Sequence, residues 1–327
     1  MAPVILLTFD IEDWFQVENF KAYIPFSSWP AHELRVEKNT HRILDLLDSF
    51  SLTNPDQLLA NSFTPNPTNS TNPSNPTNPT DPTTPRATFF VLGWIAERLP
   101  GLVREIQARG HEVASHGYLH DPFWGDPHSA FKDDIIKSKK LLEDIMGIGV
   151  YGYRAPTFSI DHRKLAVIES CGYLYDSSFN SFAGHARYGR LDLSQSIKRK
   201  IAVKISDAFY EMPISNIKLG KYILPWGGGG YFRMMPSALF RLGVAALLKK
   251  EGAYLFYLHP WEIDPAQPRL GQAAFSYKIR HYMGLESTYS KLTKLFGGRR
   301  DCRFIACRHY LEEIVSNGFA AVAGSSA

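Results

Sequence analysis

Positions 6–15 read LLTFDIEDWF, an apolar run that stops at three carboxylates, Asp10, Glu12 and Asp13. Like charges this close repel, and a carboxylate at the rim of a core loses hydration, so a positive partner is expected there. Two histidines four apart, His116 and His120 in SHGYLH, fall on one side of a helical turn or tight loop. Taken alone the pair is more often two surface histidines. Joined to an acid from the end of another strand, two neutral imidazoles and one carboxylate make a three-ligand site for Zn²⁺ or a similar divalent ion, with a position open for water.

Further reactive types follow apolar runs. Arg154 in YGYRAPTF is placed to pin a carboxylate, against the blander reading of a surface ion pair. Asp176, Ser177 and Ser178 close YLYDSS. His259 ends AYLFYLHPW beside Trp261, where a histidine is either a satisfied rim residue or a good general acid. The PWGGGGY turn lacks the Lys-Ser/Thr of a phosphate loop, and no helix is expected at its end. Its glycines would let backbone approach a ligand, with Trp226 and Tyr231 as a stacking wall for sugar rings.

The elements that must position these groups alternate. VILLTF, ATFFVLG, HEVASH, VYGYRAP and YLYDSS read as strands. Helical patterns separate them over NTHRILDLLDSF, IAERLPGLVREIQARG, FKDDIIKSKKLLEDIM and DHRKLAVIESCG. This rhythm predicts a parallel α/β sheet curled into a closed or nearly closed barrel, whose chemistry sits at the C-terminal ends of strands. One region that breaks it, residues 51–86, is a near-repeat of Asn-Pro-Thr too poor in apolar residues to fold, and reads as a disordered insertion. The other, about 182–233, reads as short strands and turns. A helix over SALFRLGVAALLKK, the strand AYLFYLHPW, a helix near ESTYSKLTKLF and a last unit CRFIACRHYLEEIV complete a single domain over 1–327, with 263–327 as an extension packed on the barrel.

A net charge of +4 with scattered basic residues argues against nucleic acid. Cys171, Cys302 and Cys307 are odd in number and lack metal spacing, which favours a reducing compartment. No apolar stretch is long enough to span a membrane, and MAPVILLTFD reads as a first strand and not a leader. A cytoplasmic location is expected, with room for peripheral association with an export complex.

In this order, TFDIED, SHGYLH, RAP, DSS with the glycine-aromatic turn, and LHPW resemble the five motifs of the polysaccharide deacetylases, the metal-dependent carbohydrate esterases of the chitooligosaccharide and peptidoglycan deacetylase type. FDIEDWFQVENF and the C-terminal region resemble an exosortase-linked exopolysaccharide subgroup. The resemblance implies a distorted (β/α)7–8 barrel that removes N-acetyl groups from an amino-sugar polysaccharide. It implies a divalent metal, Zn²⁺ foremost with Co²⁺, Ni²⁺ or Fe²⁺ as alternatives. Asp10 matches the base, His116 and His120 the metal ligands, Arg154 the group orienting the base and His259 the acid. Pro156, Phe158, Asp176, Ser177, Trp226, Tyr231 and Trp261 are the substrate-side candidates. The first motif departs from the family's commonest form, because Ile11 follows Asp10 where a second aspartate is usual. Strand alternation puts Glu12 on the face of Asp10, which makes Glu12 the first choice of acidic ligand and Asp13 the alternative. Competing readings are an amidase for small cyclic or linear amides on the same scaffold, an inactive carbohydrate-binding module, and a two-histidine, one-carboxylate iron oxygenase, which the βα rhythm disfavours.

Overall fold

The computed structural model describes residues 2–51, 84–123, 128–182, 189 and 191–323. Nearly all of the Asn-Pro-Thr stretch lies outside them. The first strand, β1 (Val4–Ile11), is buried along its whole length, as an uninterrupted apolar run must be when a parallel sheet is covered on both faces. It leads to α1 (Val36–Ser51), which turns Val36, Thr40, Ile43 and Leu47 inward at helical spacing. There follow β2 (Thr88–Val91), α2 (Gly93–Arg98), α3 (Pro100–Ala108), β3 (Glu112–Ser115), α4 (His128–Met146), β4 (Gly152–Tyr153), α5 (His162–Ser170) and β5 (Tyr175–Asp176). The single helix expected through IAERLPGLVREIQARG is two, because Pro100 has no N–H to donate and takes the first position of α3.

The middle of the chain forms β6 (Ile197–Arg199), β7 (Ala202–Lys204), β8 (Tyr210–Glu211) and the hairpin β9 (Asn216–Leu219) and β10 (Tyr222–Pro225). A helix, α6 (Gly229–Met234), does start within the glycine turn, contrary to expectation. It is followed by α7 (Ser237–Glu251), β11 (Ala253–Leu258), α8 (Phe275–Tyr282), α9 (Leu285–Phe296), β12 (Arg303–Phe304) and α10 (Cys307–Ala323). In space the sheet runs β11-β1-β2-β3-β4-β5-β8-β7-β6, with β12 also on β1 and the β9–β10 hairpin apart. The seven strands from β11 to β8 are parallel and the last two antiparallel.

No ladder joins β8 to β11 among the described residues. Irregular backbone closes the gap: the N–H of Tyr257 donates to Gly227 O at 2.8 Å and that of Leu255 to Ser215 Oγ at 2.9 Å. The curled sheet is therefore a distorted barrel completed by loops. Its register brings one level of residues to the mouth. Phe9 faces Leu258, Asp10 faces Phe90, Val91 faces Ser115, and Tyr153 pairs with Ser115 and Asp176. Asp10, His116, Arg154, Ser177 and His259 thus leave the sheet side by side.

Gly228 is a joint of that closure. Its φ is +124°, and a Cβ there would lie 2.1 Å from the carbonyl oxygen of Tyr257. Gly228→Ala should destabilise the protein by about 3 kcal/mol, through both backbone strain and collision with β11, read as a lower midpoint in denaturant titration.

Candidate active site

Arg154 is the largest fully buried side chain among the described residues. It donates from Nη1 to Asp10 Oδ1 at 2.7 Å and to Thr8 Oγ1 at 2.8 Å, and from Nε and Nη2 to the carbonyl and hydroxyl of Ser177 at 2.9 Å each. Its guanidinium lies 4.1 Å over the Phe90 ring. Three strands are tied through one side chain, and Asp10 is left with Oδ2 toward the cleft, 3.8 Å from His259 Nε2.

β1 ends at Ile11, and the N–H of Glu12 turns back to Asp10 O at 3.0 Å. Strand alternation was expected to bring Glu12 beside Asp10; a tight turn does so. One ligand atom each of Glu12, His116 and His120 gathers within 4.8 Å of the others, all three residues buried. His116 Nδ1 donates to the carbonyl of Arg154 at 2.8 Å, which leaves Nε2 as the lone-pair atom, the tautomer that a metal ligand needs. Burial and the neighbouring His120 push the His116 pKa down to about 4, only partly opposed by Asp10 and Glu12. Burial alone would raise Glu12, but the imidazoles of His120 and His259 hold its carboxyl well below the usual range. Glu12 Oε2 lies 2.5 Å from His120 Nε2 yet is without a hydrogen-bond partner. Two imidazoles and an ionised carboxylate, one ring neutral and fixed, one oxygen unsatisfied, form a donor set that fits a divalent ion such as Zn²⁺.

The opposite wall carries a second chain of charge. His259 Nδ1 pairs with Glu262 Oε1 at 2.7 Å, and Arg233 Nε donates to Glu262 Oε2 at 2.6 Å. The remaining Arg233 nitrogens donate to the carbonyls of Arg280, His281 and Met283, so α8 holds this chain in place. Burial would lower His259, but Glu12, Glu262 and Asp10 raise it to about 9. Trp261 stacks between His259 and His281 and donates from Nε1 to Glu12 Oε1 at 3.2 Å. The cleft so formed, about 140 Å³, also takes in Glu18, Asn19, Thr157, Phe158, Tyr257, Gly229 and Arg280.

Of the residues singled out in the sequence, Asp10, Glu12, His116, His120, Arg154, His259, Phe158 and Trp261 meet here. Asp13 does not. Its carboxylate accepts from the amides of Trp14, Arg35 and Val36 at 2.8, 2.6 and 2.9 Å and anchors the start of α1. Burial raises it to about 6 against the pull of those amides. Ser177 accepts from Arg154 through its carbonyl and hydroxyl, and the buried Asp176 beside it accepts from the N–H and Oγ of Ser178. Trp226 is a core residue, stacked on Phe240 with Nε1 donating to its carbonyl, because α7 covers the turn that seemed open. Tyr231 packs edge-on to Phe182 outside the cleft, and Pro156 is buried at the start of a short helical turn. Sequence reading missed Glu262 and Arg233. The first follows His259 at i+3 in HPWE, a spacing that was readable; nothing local marks Arg233.

Residues 83–175 match the family model described as polysaccharide deacetylase, and residues 177–312 one described as a domain of unknown function (DUF3473). The peptidoglycan deacetylase-like protein FGM2 of Gibberella zeae is 31% identical over 103 residues, 32% of this chain and 30% of that protein. The peptidoglycan-N-acetylglucosamine deacetylase of Bacillus cereus is 32% identical over 80 residues, 24% and 29%. The matches thus span less than a third of the length of these relatives. In fold the chain is similar to a protein described as a candidate polysaccharide deacetylase of Mycobacterium smegmatis, with TM-score 0.55, 16% identity and coverage of 97% and 95%. It is also similar to Puue allantoinase, with TM-score 0.54, 12% identity and coverage of 94% and 88%.

Glu12→Gln should weaken Zn²⁺ binding at least about 100-fold with little change in folding. Asp13→Ala should do the reverse, leaving Zn²⁺ stoichiometry intact while costing about 2 kcal/mol through three orphaned amides. Metal titration and denaturant unfolding of both variants separate the two roles.

Proposed function

We propose that this chain, whose residues 83–175 match the family model described as polysaccharide deacetylase, is a metal-dependent hydrolase removing N-acetyl groups from the amino sugars of a polysaccharide. The observation that carries this reading is the pairing of opposites across one cleft. An arginine-held carboxylate, Asp10, and an imidazolium-favouring His259 flank the Glu12, His116 and His120 donor set. A divalent ion held there would polarise the acetyl carbonyl and make a water acidic near neutral pH.

The chain's own groups supply the remainder. Asp10, whose Oδ1 is fixed by Arg154, takes the proton of the attacking water at Oδ2. In the RAPTF loop the amides of Arg154, Ala155 and Phe158 donate to Ser115 O, Ser178 Oγ and Ala155 O, and Pro156 has none. That leaves the N–H of Thr157, a residue lining the cleft, as the loop amide free to meet the developing oxyanion, in a turn where Thr157 and Phe158 have positive φ, 56° and 58°. His259, kept protonated by Glu262, Glu12 and Asp10, gives its Nε2 proton to the departing amine. The C–N bond breaks, water adds across it, and acetate and a free amino sugar leave. The likeness of FDIEDWFQVENF to the exosortase-linked subgroup supports a place in exopolysaccharide biosynthesis.

Acetate release from N-acetylglucosamine oligomers is the direct test: it should vanish on chelation and return with Zn²⁺. Failure to release acetate from any N-acetylated glycan, with metal bound, would end this reading. Asp10→Asn keeps an oxygen for Arg154 but cannot take a proton, so turnover should fall about 10³-fold with metal retained. Glu262→Gln removes a charge that holds the proton on His259, so the alkaline limb of the pH–rate profile should move to lower pH, measured as kcat/KM against pH.

A further inference from the structure

From Met212 to Lys250 the chain holds six basic residues, Lys218, Lys221, Arg233, Arg241, Lys249 and Lys250, and no carboxylate, in a protein with 36 basic and 32 acidic residues overall. Arg233 is buried at the active site; the other five are exposed. They lie among apolar side chains, of which Leu219, Tyr222, Leu239 and Leu242 stand exposed while Ile217 packs partly on the core. In the β9–β10 hairpin, antiparallel register sets Leu219 opposite Tyr222 and Ile217 opposite Leu224, so the four share one face. Leu219 is 65% exposed and Tyr222 63%. In α7, Phe240, Val244 and Leu247 face the core, yet Leu239, Leu242 and Ala246 repeat the spacing on the outer side, where Leu242 is 70% exposed. A helix apolar on both sides is ordinarily buried on both sides.

Hairpin and helix form one corner. β10 runs straight into Trp226, whose indole donates to Phe240 O at 3.0 Å, and a Cβ on Gly243 would fall 2.1 Å from Trp226 Nε1. The same turn continues into Gly229 and Gly230 in the wall of the catalytic cleft.

We infer that this corner is a peripheral docking surface for an anionic lipid bilayer, with Leu219, Tyr222, Leu239 and Leu242 entering the interface and the surrounding lysines and Arg241 on the headgroups. Charge complementarity selects the occupant. Lys218, Lys221, Arg241 and Lys249 make no ion pair with the described residues; of the two acids that border the stretch, Glu211 is buried and Glu251 pairs with Lys198 and Lys250. Exposed leucines and a tyrosine on a stretch that carries lysines and arginine without a carboxylate match an acyl boundary beneath phosphates. No described helix is long and apolar enough to cross a membrane, so the contact lies on the surface and sets the cleft beside the headgroup layer.

The test is co-sedimentation of the full chain with vesicles of phosphatidylcholine alone or mixed with phosphatidylglycerol. Sedimentation is expected with the mixed vesicles only, and added salt should release the protein. The double variants Leu219→Asp with Leu242→Asp, and Lys218→Glu with Lys221→Glu, should each cut the bound fraction at least about tenfold. Both should keep wild-type near-UV circular dichroism, and the second changes only exposed side chains, so it decides the matter if the first misfolds. Absence of binding to mixed vesicles, or binding undiminished in folded variants, overturns the proposal. So does a wild-type dimer that Leu219→Asp with Leu242→Asp makes monomeric while vesicles bind neither, since the face then joins two copies of the chain.

Discussion

A guanidinium with no access to water must be matched by acceptors on every side, and the barrel mouth is organised by meeting that need for Arg154. Thr8 and Asp10 from β1 and both oxygens of Ser177 after β5 converge on it, and its own carbonyl fixes His116 after β3. A buried charge robbed of its partner costs about 3–5 kcal/mol, so these strands cannot shift register independently. The positive partner that three crowded carboxylates demanded is thus in part a side chain of the protein itself, from 144 residues along the chain.

Around that anchor the cleft holds two imidazoles in opposite states. His116 is pushed down to about 4 and His259 up to about 9, although both are buried. Neighbours account for the difference. His116 has His120 beside it and Asp10 and Glu12 only partly offset its burial, whereas His259 adds a directly bonded Glu262 to the same two carboxylates. The separation suits one ring to lone-pair donation and the other to proton donation, the roles proposed for them, and Arg233 beside Glu262 holds its carboxyl below the usual range.

The reactive types were legible because each closes an apolar run, and in a parallel sheet such ends share one rim. What was not legible came from packing. Trp226 looked like an exposed platform until α7 lay across it, Asp13 looked like a ligand until α1 needed an anchor, and Asp176 and Ser177 looked like substrate contacts although Ser177 bonds Arg154 and Asp176 bonds Ser178. Arg233 carried no signal, since 29 residues separate it from Glu262 and no periodicity links them.

The sequence by itself determined the strand–helix rhythm, the barrel class and the pool of residues able to do chemistry, because burial periodicity and residue type are local properties of a chain. Only the tertiary structure decided that Glu12 and not Asp13 joins the two histidines, and that Arg154 faces Asp10. It also decided that the ring closes through Gly227 and Gly228 instead of a strand. Those outcomes rest on which distant groups satisfy each buried charge and amide. That is a matter of distance in space, which spacing along the chain does not encode.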